Sequence, residues 1–271
     1  MLELVSGPVP YLRLSVLENI APVTAAFSTR QGGVSRGYFH SLNLGFHVGD
    51  NPDRVLTNRH LLAEATGLPL GAWVVGEQVH GSRVAVVGKK DRGRGAETLE
   101  TCVPGVDALV TGEAGLTLVA LFADCVPVYV VSGDGGAVAL IHAGWKGTLN
   151  RVAAAAVDCL AETFNVRTAG CWAVIGPAIG PCCYRVGEEV AEAFKGEVPW
   201  GEAVLRRCGE GAWYLDLWEA NRLALLDAGL LPERVAVAGF CTSCHPEFFF
   251  SHRRDGGRTG RMAAVFSRRE G

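Results

Sequence analysis

Between residues 107 and 142 four apolar, β-prone segments follow one another in close succession, at 107–111, 116–123, 126–132 and 137–142. Short breaks separate them, Gly-rich at 112–115 and 133–136 and Asp124-Cys125 in between, so strand follows strand. Helical patterns lie outside this block. Asp50-Asn51-Pro52, the apolar positions Val55, Leu56, Leu61, Leu62 and Ala65, and then Gly67 predict a capped helix with a glycine stop. Further helices are predicted at about 148–164, 187–194 and 217–228, the last capped by Asp216. Residues 72–79 and 83–87 read as two strands joined by a turn at Gly81-Ser82, and 171–175, 235–240 and 261–266 as short strands. The polar stretch 89–95 reads as an exposed loop. Adjacent strands first and mixed helices and strands afterwards predict a layered α+β domain, not a regular βαβ alternation.

Composition narrows the class. A chain of 271 residues that is 49% hydrophobic has ample material for a substantial core, and no internal repeat or linker divides it, so a single domain over 1–271 is expected. The net charge of −3 gives no support for a nucleic-acid or anionic-membrane partner. No stretch approaches the roughly 20 uncharged apolar residues of a membrane span. The first residues carry Pro8, Pro10, Pro22, Glu3, Arg13 and Glu18, unlike a secretory signal, so a cytoplasmic location is expected. In that compartment the nine cysteines are thiols or metal ligands, not a disulfide framework.

Three segments could carry chemistry. His80 ends an apolar run and precedes Gly81; alone, it reads more readily as a surface or hydrogen-bonded histidine. Ala123-Asp124-Cys125-Val126-Pro127 puts a carboxylate and a thiol between two apolar strands. A buried cysteine is commonly an inert small hydrophobe, but a buried carboxylate needs partners. His142-Ala143-Gly144-Trp145-Lys146-Gly147 links a strand to a helix, where exposed N–H groups and Lys146 could receive an anion, or where Trp145 simply packs on the core. Together, His80, Cys125 and His142 match a catalytic zinc with three protein ligands and an open fourth position. The same atoms would also serve as a cysteine nucleophile with a histidine base, and spacing leaves both readings open.

The segments Phe27-Ser28-Thr29-Arg30-Gln31-Gly32-Gly33, Ser41-Leu42-Asn43-Leu44, Asn58-Arg59, Gln78-Val79-His80-Gly81 and Asp107-Ala108-Leu109-Val110-Thr111 resemble the YfiH/YlmD family. So do Ala123-Asp124-Cys125-Val126-Pro127, His142-Ala143-Gly144-Trp145-Lys146-Gly147, Ile175-Gly176-Pro177 and Thr259-Gly260-Arg261. This family, once described as multicopper polyphenol oxidoreductase or laccase-domain proteins, is now read as purine nucleoside phosphorylases. The motifs run in order from Phe27 to Arg261, and the ordered set is specific where each alone is modest. The resemblance implies a four-layer α/β/β/α single domain and a zinc held by His80, Cys125 and His142. It also implies phosphorolysis of adenosine, inosine and 5′-methylthioadenosine, with adenosine deamination at the same site. One branch is linked to editing of peptidoglycan precursors, which stands as an alternative role.

Under that reading the partners are a purine nucleoside and phosphate, with the chain a monomer or homodimer. Arg30 and Lys146 are the phosphate candidates, Arg261 a third, and Gln78 a substrate contact. For deamination a metal-activated water and a nearby carboxylate are needed. Asp124 is the candidate carboxylate, with orientation of a ligand histidine as its favoured role. A metal-free cysteine hydrolase using Cys125 and His142 is the competing expectation; the implied fold is also similar to that of a bacterial toxin deamidase with a Cys/His pair. Copper could occupy the same three donors in vitro, but seven scattered histidines are too few for multicopper chemistry, and His40, His47 and His60 show no ligand spacing. Cys241-Thr242-Ser243-Cys244-His245 matches a c-type haem attachment pattern formally. A plain strand-end turn is expected there, because the adjacent Cys182-Cys183 read as geometrically poor partners for a second zinc. Phe248-Phe249-Phe250 reads as core, and Arg253-Arg254-Asp255 with Arg258 as a solvated or partner-facing loop that could border the pocket.

Overall fold

Alternating side chains along the strands divide the interior of the molecule into layers. In the computed structural model, which describes residues 2–269, two six-stranded sheets pack face to face. The first has the spatial order β1 (Glu3–Val5), β2 (Tyr11–Arg13), β3 (Val23–Ser28), β15 (Met262–Arg268), β7 (Thr117–Phe122), β4 (Trp73–Val75). The second runs β14 (Val235–Val237), β10 (Trp172–Ile175), β8 (Val126–Val131), β9 (Val138–Ala143), β6 (Ala108–Thr111), β5 (Val84–Val86). A small third sheet holds β11 (Arg185–Gly187), β13 (Ala212–Leu215) and β12 (Leu205–Gly209). The helices are α1 (Ser15–Glu18), α2 (Pro52–Thr66), α3 (Trp145–Leu149), α4 (Val152–Phe164), α5 (Glu188–Glu197) and α6 (Leu217–Asp227).

On β7, Leu118, Ala120 and Phe122 face the core between the sheets, while Val119 and Leu121 face the other way, with Leu62 and Ala63 of α2. On β9, Val138 and Leu140 enter that central core, whereas Ala139 and Ile141 pack with Ala153, Ala156, Val157 and Leu160 of α4. The layers are therefore α2, sheet, sheet, and the helices α4 to α6, the α/β/β/α arrangement that the family resemblance implied. Strands buried on both faces read as continuous apolar runs, which is why residues 107–142 lack a clean polar alternation. Phe122 and Phe266 are at most 1% exposed, and truncating either to Ala should cost about 3–5 kcal/mol.

Several elements match the sequence reading. Asn51 caps α2 by accepting from the Arg54 N–H at 3.2 Å, and Gly67 ends it with φ +68°. Asp216 caps α6 by accepting from the Glu219 N–H at 3.0 Å. Others differ. The two strands expected at 72–79 and 83–87 form no hairpin: β4 lies in the first sheet and β5 in the second. After Val75 the Gln78 side chain replaces the ladder, its Nε2 donating to the Leu121 carbonyl at 2.9 Å and its Oε1 accepting from the Leu121 N–H at 2.8 Å. Likewise β7 leaves its sequence neighbours β6, β8 and β9 for the other sheet. The helix expected over 148–164 breaks into α3 and α4 at Arg151, whose φ is +57°. The 89–95 loop is anchored by Asp91, only 6% exposed, which accepts from the Gly88 N–H and from Arg94. Strands β1, β2, β3, β11, β12 and β13 have no counterpart in the sequence reading; most are three to five residues long, too short to show a period. No helix among the described residues is long and apolar enough to cross a membrane.

Candidate metal centre and its cleft

Two segments cross from the first sheet to the second: the stretch after β4 that carries Gln78 to Gly81, and Ala123-Asp124-Cys125 between β7 and β8. They meet His142, next to last in β9 and paired with Pro127 of β8. The crossings bend sharply. His80 has φ +61° and Asp124 φ +88°, values shared among the described non-glycine residues only by Arg151 and Asn165. Such backbone persists where surrounding bonds enforce it, and it concentrates at functional sites.

Asp107 enforces the first bend. Its carboxylate accepts from the backbone N–H groups of Val79, His80 and Gly81 at 3.3, 3.0 and 2.7 Å. It also pairs with Nδ1 of His142 at 2.8 Å, which fixes that ring's orientation. Burial opposes the charge on Asp107, yet His142 and these N–H groups hold its carboxyl below the usual carboxylate range. The orienting role expected of Asp124 thus belongs to Asp107. Asp124 instead ties two loops together, its Oδ1 accepting from the Thr242 hydroxyl at 2.6 Å and its Oδ2 from the Arg253 N–H at 2.7 Å.

The ligand atoms of His80, Cys125 and His142 all lie within 4.8 Å of one another, and the two imidazoles meet edge to face at 4.9 Å between centroids. Gly144 makes room for them: a Cβ there would lie 2.9 Å from His80 Cδ2 and 3.1 Å from Cys125 Sγ. Burial would push the Cys125 thiol up, but His142 and His80 bring it down to about 6. Burial would lower His142, but the Cys125 thiolate and Asp107 raise it to about 9. Two nitrogens and one sulfur, converging with His80 open to solvent, suit a metal ion that keeps a free coordination position.

This cluster borders a cleft of about 660 Å³, within the range of small-molecule sites at roughly 300–1,000 Å³. Gln78, Asp124 and Arg261 also line it. Gln78 spends both ends of its amide on Leu121. Arg261 donates to the carbonyls of Thr259 and Gly260 at 2.9 and 3.0 Å, and burial lowers its pKa. The other expected phosphate contacts lie elsewhere. Arg30 donates to the carbonyls of His40 and Pro246 and stacks over Phe250, while Lys146 is exposed with its Nζ 5.5 Å from the Trp145 ring centre; neither lines the cleft. Helix α3 spans only five residues, too few for the anion-receiving helix start expected at Gly144. Sequence reading passed over His47 and His252, which line the cleft, and left Arg253, which also does, as one of two options. The signal available for His252 and Arg253 was their place beside the apolar Phe248-Phe249-Phe250, which anchors the loop, Phe249 and Phe250 being buried.

The other motifs form framework. Asn58 donates to the Ser35 hydroxyl and to the carbonyls of Ser41 and Asn43, and buried Arg59 donates to the carbonyls of Leu44, Gly95 and Ala96. Together they secure the 30–47 loop. Among the described residues, the histidine and cysteine groups able to hold a metal are this cluster and a second one built from Cys182, Cys183, Cys241 and Cys244. The expected turn is present at 241–245, but the second group corrects the reading of Cys182 and Cys183 as geometrically poor partners for it.

The model of a family described as multi-copper polyphenol oxidoreductase laccase matches residues 24–269. Purine nucleoside phosphorylase YlmD of Geobacillus stearothermophilus is 47% identical over 252 residues, covering 92% of each chain. Adenosine deaminase RL5, from an unknown prokaryotic organism, is 38% identical over 238 residues, 87% of this chain and 90% of its own. The crystal structure of the hypothetical protein YfiH of Bacillus licheniformis superposes with a TM-score of 0.92 at 38% identity, covering 97% of each chain. Matched over nearly its whole length in sequence and in three dimensions, the chain belongs to the YfiH/YlmD family, the one that carries the multi-copper polyphenol oxidoreductase laccase description.

Proposed function

We propose that this protein is a zinc-dependent purine nucleoside phosphorylase that also deaminates adenosine in the same cleft. The observation that carries the reading is the convergence of His80, Cys125 and His142 on a nucleoside-sized cleft that also presents Arg253 and Arg261. The names of the two relatives above supply both activities, and the substrates expected are adenosine, inosine and 5′-methylthioadenosine. The donor set fits zinc, which takes nitrogen and sulfur together, and a multicopper centre would need histidines this cleft does not offer. Zinc bound there would supply Lewis acidity.

In phosphorolysis a phosphate oxygen bonds to C1′ as the bond to purine N9 breaks, leaving ribose 1-phosphate and the free base. Arg261 and Arg253 are the phosphate contacts this cleft favours over Arg30 and Lys146, because guanidinium groups can grip phosphate in a fork. Val75, Leu99 and Leu121 form an apolar wall for the purine. Asp107 keeps His142 aligned, and Asp124 positions the Arg253 backbone. In deamination water adds at C6 and ammonia leaves; with both Asp124 oxygens engaged, Glu77, His47 and His252 are further proton carriers on the cleft wall. Incubation with adenosine, with and without phosphate, should release adenine only with phosphate and inosine in either case. Release of neither adenine nor inosine would overturn the reading.

One observation favours a second reading. A thiol brought down to about 6 beside an imidazole raised to about 9 is the charge state of a cysteine nucleophile and its base. Metal analysis separates the two: the zinc reading requires a zinc in the cleft that is lost, with activity, in His80→Ala, whereas the hydrolase reading requires turnover with no metal at His80, Cys125 and His142.

A further inference from the structure

Away from the cleft donors, two turns bring four thiols together. Cys182 and Cys183 lie between β10 and β11, and Cys241 and Cys244 follow β14. All four Sγ atoms are within 4.8 Å of one another. Cys244 Sγ is 3.6 Å from that of Cys182 and 3.4 Å from that of Cys183. These separations far exceed a disulfide bond of about 2.05 Å. They suit a single tetrahedral ion: thiolates at about 2.3 Å from zinc lie about 3.8 Å from one another.

Adjacent cysteines would point to opposite faces in a strand. Here the Gly180 carbonyl accepts from the N–H groups of both Cys183 and Tyr184 at 3.0 Å, so the backbone curls and both thiols reach the same place. The Gly180 N–H itself donates to Cys241 Sγ at 3.2 Å, the kind of bond that steadies a thiolate carrying negative charge. The two turns are already joined beside the thiols, with the Ala178 N–H donating to the Phe240 carbonyl at 3.2 Å and the Thr242 N–H to the Ala178 carbonyl at 3.0 Å.

We propose that Cys182, Cys183, Cys241 and Cys244 form a second zinc site, closed by four thiolates and separate from the open site in the cleft. Each thiol releases its proton to solvent as the ion binds, and no electron is transferred. With its four positions filled by sulfur the ion is structural. It fastens the 178–184 turn to the 241–244 turn, whose Thr242 reaches Asp124 in the cleft wall.

The test measures zinc per chain in protein purified under reducing conditions, and it does not depend on which reaction the cleft performs. His80→Ala removes a cleft donor and should retain one zinc per chain, with X-ray absorption showing four sulfur neighbours at about 2.3 Å. Adding Cys244→Ser to that variant should remove the remaining zinc and lower the melting temperature. If the double variant does not fold, the sulfur-only absorption signature of His80→Ala decides alone. A His80→Ala protein that holds no zinc after an equimolar addition of the ion would overturn the proposal. So would nitrogen or oxygen neighbours, iron in place of zinc, or a disulfide among the four residues in the unreduced protein.

Discussion

Asp107 and Asp124 are both buried, Asp124 in the cleft wall and Asp107 against His142, and both accept backbone N–H groups, yet they organise different sides of the cleft. Asp107 binds the 79–81 crossing and His142, and so fixes the donor cluster. Asp124 binds Thr242 and the Arg253 backbone, and so fixes the loop that presents a guanidinium to the same space. Under the proposed function, one carboxylate therefore governs where the metal would sit, and the other where phosphate would sit. A buried carboxylate is costly unless several donors meet it; where one occurs, its donors show which parts of the chain it holds together.

The largest effect is expected from Asp107→Ala, which removes acceptors from three N–H groups and from His142. Metal affinity should fall by at least about 10–100-fold, with activity falling in parallel; normal metal content would show that the ligands orient themselves. Gly144→Ala tests the same side more gently. Its Cβ would crowd His80 and Cys125, and a misplacement of that order should lower kcat by up to about 100-fold while the melting temperature changes little. Asp124→Asn addresses the other side: an amide can accept from only one of the two donors, so KM for phosphate should rise about tenfold at unchanged zinc content. Loss of zinc in that variant would merge the two sides into one unit. Lys146→Ala should be the mildest, within about twofold in KM, since the side chain is solvated outside the cleft; a tenfold rise would return Lys146 to the phosphate site.

Much of the fold was legible because local chemistry announces it. Asn51 with Pro52 and Gly67 bounded α2, and the apolar runs of 107–142 marked four central strands. What local pattern does not carry is the partner of each strand. Strands β7 and β8 are separated by three residues, and nothing in them says that the chain changes sheets there. Of the site, His80, Cys125 and His142 were visible as polar residues where apolar runs end. Asp107 was not: it reads as the start of a strand, and only the pairing of Ala108 with Ile141 brings it beside His142. Asp124, next to Cys125 in sequence, attracted the role that distance in sequence hid from Asp107. The same limit applied at Cys182-Cys183, judged poor partners because they are adjacent, when a turn at Gly180 gathers them.

By itself, then, the sequence determined the layered α+β class, the cap and stop of α2, the cap of α6 and, through ordered motifs, the family and three residues that could hold a metal. The tertiary structure decided which strands share a sheet, which aspartate orients His142, which arginines reach the cleft, and that four cysteines from two distant turns converge. The reason is physical. Caps and periodicity act within a few residues, whereas register, sheet crossing and the satisfaction of a buried carboxylate depend on groups that only the packed chain brings together.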